Sequence, residues 1–292
     1  MSDRPWLPNL TYAKIAELMA GQSEYVFRHT AIMTQPDASL CSGVYIKLFG
    51  YYGILTAAHC PEKMMKKPKL CLAISGSWHQ CIVDWEKFEY FPIDRNNMEP
   101  GDGNKARMPD LAVLIIKDTA LVKAIEQSGL AFLDVNKQNY NIFFDGTGVV
   151  GFTWWLIGSP GDNVKQSSTG HSIDSSHLIK IETMGMQAQF DSYVEGQLHD
   201  YILLKLPNGT NGFPKDYQGV SGGGIWYFKF NSQNAIDYTV EPILAGIAIS
   251  QMSDSLNSEN QIITGHYARS IYCRVRDLFA QKHFLENTKA LQ

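Results

Sequence analysis

Three short segments carry side chains that could do nucleophilic chemistry together. Thr56-Ala57-Ala58-His59-Cys60 closes an apolar run, Pro109-Asp110-Leu111-Ala112-Val113-Leu114 sets an acid at the entry of another, and Gly219-Val220-Ser221-Gly222-Gly223-Gly224 holds a serine among glycines. A serine hydroxyl is a poor nucleophile until an imidazole accepts its proton, and that imidazole needs a carboxylate to fix its tautomer and stabilise its cation. His59, Asp110 and Ser221 supply those three groups. The oxyanion of a tetrahedral intermediate must in turn be met by backbone N–H groups, here those of Gly219 and Ser221. A residue without Cβ reaches the turn that aims them at least cost. Of the seven other histidines, His29, His79, His171, His177, His199 and His283 form no paired metal motif, and the chemistry needs neither metal nor cofactor.

The elements that must position these residues are mostly strands. Segments such as SGVYIKLFGYYGILTAAHC, KLCLAIS, DLAVLIIK, DYILLKLP, GGGIWYFKF and ILAGIAIS are short β-branched or aromatic runs punctuated by glycine. Residues 11–21 predict a short amphipathic helix capped at Gly21, residues 119–128 a second helix, and residues 274–289 a third. Residues 94–109 read as a long polar loop. The expectation is an all-β protein in two halves. It comprises an arm over residues 1–39, a first β-barrel over 40–118 carrying His59 and Asp110, a linker over 119–145, and a second barrel over 146–292 carrying Ser221.

Composition narrows the function classes. The 292 residues carry a net charge of −4, which disfavours a nucleic-acid partner, and no apolar run approaches the ~20 residues of a membrane span. The first residues lack a basic n-region followed by an apolar h-region, so the expected location is cytoplasmic, where the five cysteines would stay reduced. A Ser-Gly-Ser turn would also bring Cys71 near Cys81 across a hairpin.

With His, Asp and Ser in this chain order, residues 40–284 resemble the trypsin-like (chymotrypsin-fold) serine proteases. Tyr217-Gln218-Gly219-Val220-Ser221-Gly222-Gly223 looks like their nucleophile motif, Leu244-Ala245-Gly246-Ile247-Ala248-Ile249 like the strand that pairs with substrate, and Gly265-His266-Tyr267-Ala268 like the wall of the primary pocket. Gly158-Ser159-Pro160-Gly161-Asp162 is similar to a turn of bacterial glutamyl endopeptidases. The resemblance implies two six-stranded antiparallel Greek-key barrels, with an N-terminal helical arm and a C-terminal helix. It also implies peptide-bond hydrolysis through an acyl-enzyme, in the bacterial or viral branches of the family, which are active without zymogen cleavage or are controlled by a partner, because Val220 stands where digestive relatives have an activating aspartate.

The same resemblance sets Lys215 and Asp216 at the base of the primary pocket, Gln218, Ile249 and Ser250 along the substrate, and Gly265 and Tyr267 on the pocket walls. Asp216 would favour a basic residue before the cut and Lys215 an acidic one; the two could also pair with each other. His266, on an alternating strand, should point away from that wall. Cys41 and Cys60 stand where the family often has a disulfide. The expected partners are a protein or peptide substrate and a regulatory protein. The alternative is a latent or inactive scaffold with a collapsed oxyanion hole, in which the Gly219 N–H points away from the cleft.

Overall fold

The computed structural model describes residues 12–35, 40–75, 79–95, 109–138, 140–141, 143, 151–161, 164–166, 179–181, 183–210, 212–232 and 238–290. Most of the polar loop at 94–109 and Asp162 of the Gly-Ser-Pro-Gly-Asp turn lie outside them. The first half is built from α1 (Tyr12–Arg28), β1 (Thr30–Thr34), β2 (Leu40–Leu48), β3 (Tyr51–Thr56), α2 (His59–Met64), β4 (Lys69–Ser75), β5 (His79–Asp84), β6 (Phe88–Ile93), β7 (Leu111–Ile116), α3 (Thr119–Gln127) and β8 (Leu133–Asp134). The second contains β9 (Gly151–Gly158), β10 (Val164–Gln166), β11 (Ile179–Ile181), β12 (Met184–Glu195), β13 (Asp200–Pro207), β14 (Gly224–Ser232), β15 (Tyr238–Ser253) and β16 (Asn260–His266). A π-helical turn (Ser270–Val275) then leads into α4 (Arg276–Ala290).

Strands β12-β13-β16-β15-β14-β9 close into a six-stranded antiparallel barrel. The first half remains an open, strongly curved sheet of eight strands in the order β5-β4-β1-β2-β3-β7-β6, with β8 added parallel to β2. The second half is thus the six-stranded barrel expected, whereas the first departs from expectation: its eight strands form an open sheet in place of a closed six-stranded barrel. Two boundaries differ from the sequence reading. Helix α1 runs through Gly21 to Arg28, because Met19 and Val26 continue its buried face. Residues 30–34, expected in the arm, form β1 between β2 and β4.

The strands alternate between cores with a period of two, as pleated backbone requires. Ile54, Leu114 and Ile116 point into the first sheet, where they meet Tyr45, Leu72 and the Leu121, Val122 and Ile125 face of α3. Their neighbours Leu55, Val113 and Ile115 point out of it, onto Trp226, Phe228 and Leu244 of the barrel and onto Ile271 and Phe279 of the C-terminal helix. Ile225 and Tyr227 turn the other way, into the barrel, with Leu156, Ile202, Leu204 and Ile243. Both sheets therefore bury two faces, and the layer between them is a third core sealed by the C-terminal helix. That shared layer fixes the two halves against each other, so the residues along the seam have defined positions.

Candidate active site

The site is assembled along that seam by strand register. Thr56 pairs with Ala112, so the end of β3 and the start of β7 leave the sheet side by side, and His59 and Asp110 follow directly. Asp110 Oδ2 accepts from His59 Nδ1–H at 2.6 Å, and its Oδ1 accepts from the His59 backbone N–H at 2.9 Å. With Nδ1 donating, the lone pair of the neutral ring is on Nε2. The bond to Asp110 raises the His59 pKa above its ordinary value, against burial, which acts the other way. For Asp110 burial pushes upward, yet the hydrogen bonds and charge of His59, helped by Arg95, leave it below the usual carboxylate range. Arg95 Nη1 stands 3.8 Å from Asp110, and Glu62 accepts from Arg95 Nε–H and Nη2–H at 3.0 and 2.9 Å.

Ser221 arrives from the barrel in a turn between residue 217 and β14. Gly219 and Gly222 have φ of +92° and +85°, a region other residues enter with strain. A Cβ on Gly219 would lie 2.6 Å from Ser159 O, and one on Gly222 only 2.0 Å from Thr56 Oγ1. Ser42 of β2 stitches this turn to the first sheet. Its N–H donates to Ser221 O at 2.9 Å, its Oγ–H to Gly219 O at 2.8 Å, and its Oγ accepts from Ser159 N–H at 3.1 Å.

The carbonyls on either side decide where the amides face. Gln218 O accepts from Gly161 N–H at 2.6 Å and Val220 O from Gly223 N–H at 2.7 Å. A trans peptide is planar, so the N–H of Gly219 and that of Ser221 each point opposite to their anchored carbonyl. Among the described residues neither amide donates a hydrogen bond. Two amides so placed can serve an acceptor brought to the turn. Among the same residues Ser221 Oγ is also unbonded. His59 Nε2 stands 3.7 Å from Cys60 Sγ, and no hydrogen bond joins it to Ser221 Oγ.

Beside Ser221 opens a pocket of about 60 Å³, lined by Tyr217, Gln218, Val220, Ala248, Ser250, Gln251 and Ile263 as well as the serine. Of the residues expected to contact substrate, Gln218 and Ser250 line it and five do not. Ile249 packs against the core of the first sheet. Tyr267 is enclosed by Phe143, Trp154 and Tyr193, and Gly265 lies over Ile225 inside the barrel. Asp216 Oδ1 accepts from Gln251 Nε2–H at 2.6 Å and from Gln218 N–H at 2.9 Å, so it is engaged beside the pocket and not at its base. Lys215 packs its stem along Gly209.

Sequence reasoning missed Ser42, Arg95, Glu62 and Gln251, none of which stands in a motif. His266 does point away from the pocket, as alternation required, and its Nε2 accepts from the Asp110 backbone N–H at 3.1 Å. All five cysteines are free thiols. Cys71 stands opposite Ile82 and Cys81 opposite Leu72, so the hairpin sets the two on opposite faces. Among the described residues no cluster of His, Cys, Asp or Glu could hold a metal ion, and no helix is long and apolar enough to cross a membrane.

No protein-family model and no curated protein matches this chain. Among solved structures it is similar to mouse neuropsin, a serine protease expressed in the limbic system of the brain. The identity is 14% and the TM-score 0.45, over 87% of this chain and 94% of that one. It is also similar to a chain from work on the coupled folding and binding of the intrinsically disordered Sesbania mosaic virus VPg protein. There the identity is 11% and the TM-score 0.40, over 85% of this chain and 90% of that one. Neither is close enough to carry chemistry across to this protein.

Proposed function

We propose that the chain is a serine endopeptidase of the trypsin-like kind, with His59 as general base and then acid, Asp110 orienting it, and Ser221 forming the acyl-enzyme that water hydrolyses. The observation that carries this reading is the pairing of an Asp110-bound His59 with a serine turn whose Gly219 and Ser221 amides are free and held outward. Such a donor pair meets the developing oxyanion, each donor contributing about 3 to 4 kcal/mol to the transition state. A scaffold with a collapsed hole is disfavoured by the same amides. A fluorophosphonate probe should label the purified protein at one site, mapped by peptide digestion to Ser221; a protein left unlabelled, alone and in a cell extract supplying a regulatory partner, overturns the reading.

Substrate choice follows from the pocket. At about 60 Å³ it is well under the ~150 Å³ of an apolar cavity that accepts benzene, and none of its lining residues is charged. Gln251 bridges it, its Oε1 accepting from Tyr217 N–H at 2.8 Å while its Nε2–H holds Asp216. The expected residue before the cut is small and uncharged, such as alanine, serine or threonine. Profiling on a peptide library should show that preference, and Gln251→Gly should move it towards larger residues by about 10- to 100-fold, the scale set by one or two methylenes in a pocket. Preference of the wild-type protein for arginine or glutamate overturns this assignment.

Control and compartment complete the proposal. Val220 is buried in the barrel core, so apolar packing braces the serine turn where zymogen relatives use an activating aspartate, and no cleavage is needed. We assign the chain to the branch of the family, bacterial in type, that works inside the cell under the control of a regulatory protein, processing few substrates. Its net charge of −4 and its strand-built cleft suit a peptide and not a nucleic acid. The neighbouring Cys60 thiol holds the Cys41 pKa below its ordinary value, while burial raises that of Cys60 well above it. The intact mass of the native protein should be that of five thiols; a mass two hydrogens lower, with Cys41 and Cys60 crosslinked, places the protein in an oxidising compartment instead.

A further inference from the structure

The geometry points to His266 as a positioning residue for Asp110, joined through Ser270 and Asp200 to the start of the C-terminal helix; this rests on the triad reading above. His266 ends β16 and is fully buried, its ring edged by His199 and Tyr201 with centroids 5.0 and 4.9 Å away. Because Asp110 N–H donates to its Nε2, that nitrogen must carry a lone pair, so the proton is on Nδ1. Nδ1 lies 3.2 Å from Ser270 Oγ and donates to it.

The bookkeeping at Ser270 closes. Its hydroxyl accepts from His266 Nδ1–H and from Asp200 N–H at 3.1 Å, using both lone pairs, and its single proton goes to Asp200, whose Oδ1 and carbonyl are each 3.0 Å away. The Asp200 carboxylate in turn accepts from the N–H groups of Arg269 and Ser270 at 3.1 and 2.8 Å, the first free amides of the C-terminal helix. Every donor in the row from Asp110 to Asp200 has an acceptor within reach, and the direction of each bond is set. A buried network satisfied in this way sets one arrangement and resists others. Burial also pushes the His266 pKa down to about 3, so the ring keeps its acceptor nitrogen at neutral pH.

The consequence is a tie across the seam. Asp110 comes from the first sheet and His266 from the barrel. Their bond anchors the backbone of Asp110 while its carboxylate is engaged with His59. Without the tie the Asp110 peptide can tilt, and a displacement of ~1 Å at a catalytic group costs about 100-fold in rate without weakening binding. Leucine at 266 fills the space without an acceptor; glutamine keeps an oxygen near the position of Nε2.

Three measurements test the assignment. The imidazole 15N spectrum of the wild-type protein at neutral pH should show His266 with an unprotonated Nε2. Fluorophosphonate labelling should slow about 10- to 100-fold in His266→Leu through the maximal rate, with half-saturation within about two-fold of wild type, and should recover to within about three-fold in His266→Gln. Proton spectra should show the His59 Nδ1–H signal displaced in the leucine variant and restored in the glutamine one. A protonated Nε2, or a leucine variant with an unmoved His59 signal and an unchanged labelling rate, overturns the role of His266. A displaced signal in a protein that is never labelled would uphold that role and remove the protease reading.

Discussion

Replacing Ser221 by alanine should lower peptide hydrolysis about 10⁶-fold, the scale on which a triad serine acts, and should abolish fluorophosphonate labelling altogether. The same substitution should change folding stability by no more than about 0.5 kcal/mol. That contrast comes from which atoms of Ser221 are used. Its carbonyl is the structural group, accepting from Ser42 N–H at 2.9 Å and from the Cys60 thiol at 3.5 Å. Its hydroxyl has no hydrogen bond among the described residues, and alanine keeps the backbone that does. Turnover and thermal melting, measured on the same preparation, check both halves. A variant that hydrolyses peptides within about 100-fold of wild type would remove Ser221 from the chemistry. One that loses activity only because it unfolds would show that the hydroxyl is a structural group.

The triad candidates were legible because each sits where a local signal is strong. His59 follows a run of apolar strand residues, Asp110 leads directly into another, and Ser221 lies between glycines whose φ of +92° and +85° and close surroundings disfavour any side chain. The two-period alternation that separates Ile54 from Leu55 and Ile225 from Trp226 likewise carried the all-β fold. What could not be read is what depends on which chain segments meet. Ser42 looks like any polar residue on a strand, and its three bonds to residues 159, 219 and 221 exist only because β2 runs along the serine turn. Lys215 and Asp216 are set at the base of the primary pocket by the resemblance alone. The carboxylate of Asp216, however, accepts from Gln218 and Gln251, and neither it nor Lys215 is among the residues that line the pocket beside Ser221. Closure of the first sheet depends on partners at its edges β5 and β6, which periodicity within a strand does not encode.

Asp110→Asn should lower kcat by about 10⁴-fold and move the acidic limb of the pH profile to lower pH. The carboxylate accepts two N–H groups of the same residue, Nδ1–H at 2.6 Å and the backbone N–H at 2.9 Å. An amide has one oxygen and one NH₂. Turned with its oxygen to Nδ1–H, it sets the NH₂ against the His59 backbone donor. Turned the other way, it faces Nδ1 with a donor, forces the ring proton onto Nε2 and removes the lone pair that Ser221 needs. Either orientation also deletes the charge that stabilises the imidazolium. The sign of the pH effect follows from His59. Its bond to Asp110 raises its folded pKa above the ordinary histidine value, outweighing burial. Only the neutral ring accepts the serine proton, so activity is lost as pH falls through that raised value. Without the carboxylate, burial is the largest influence left on the ring, and the limb moves lower. An unmoved limb, or a loss of less than about ten-fold, would mean that Asp110 braces the loop and does not act on the imidazole.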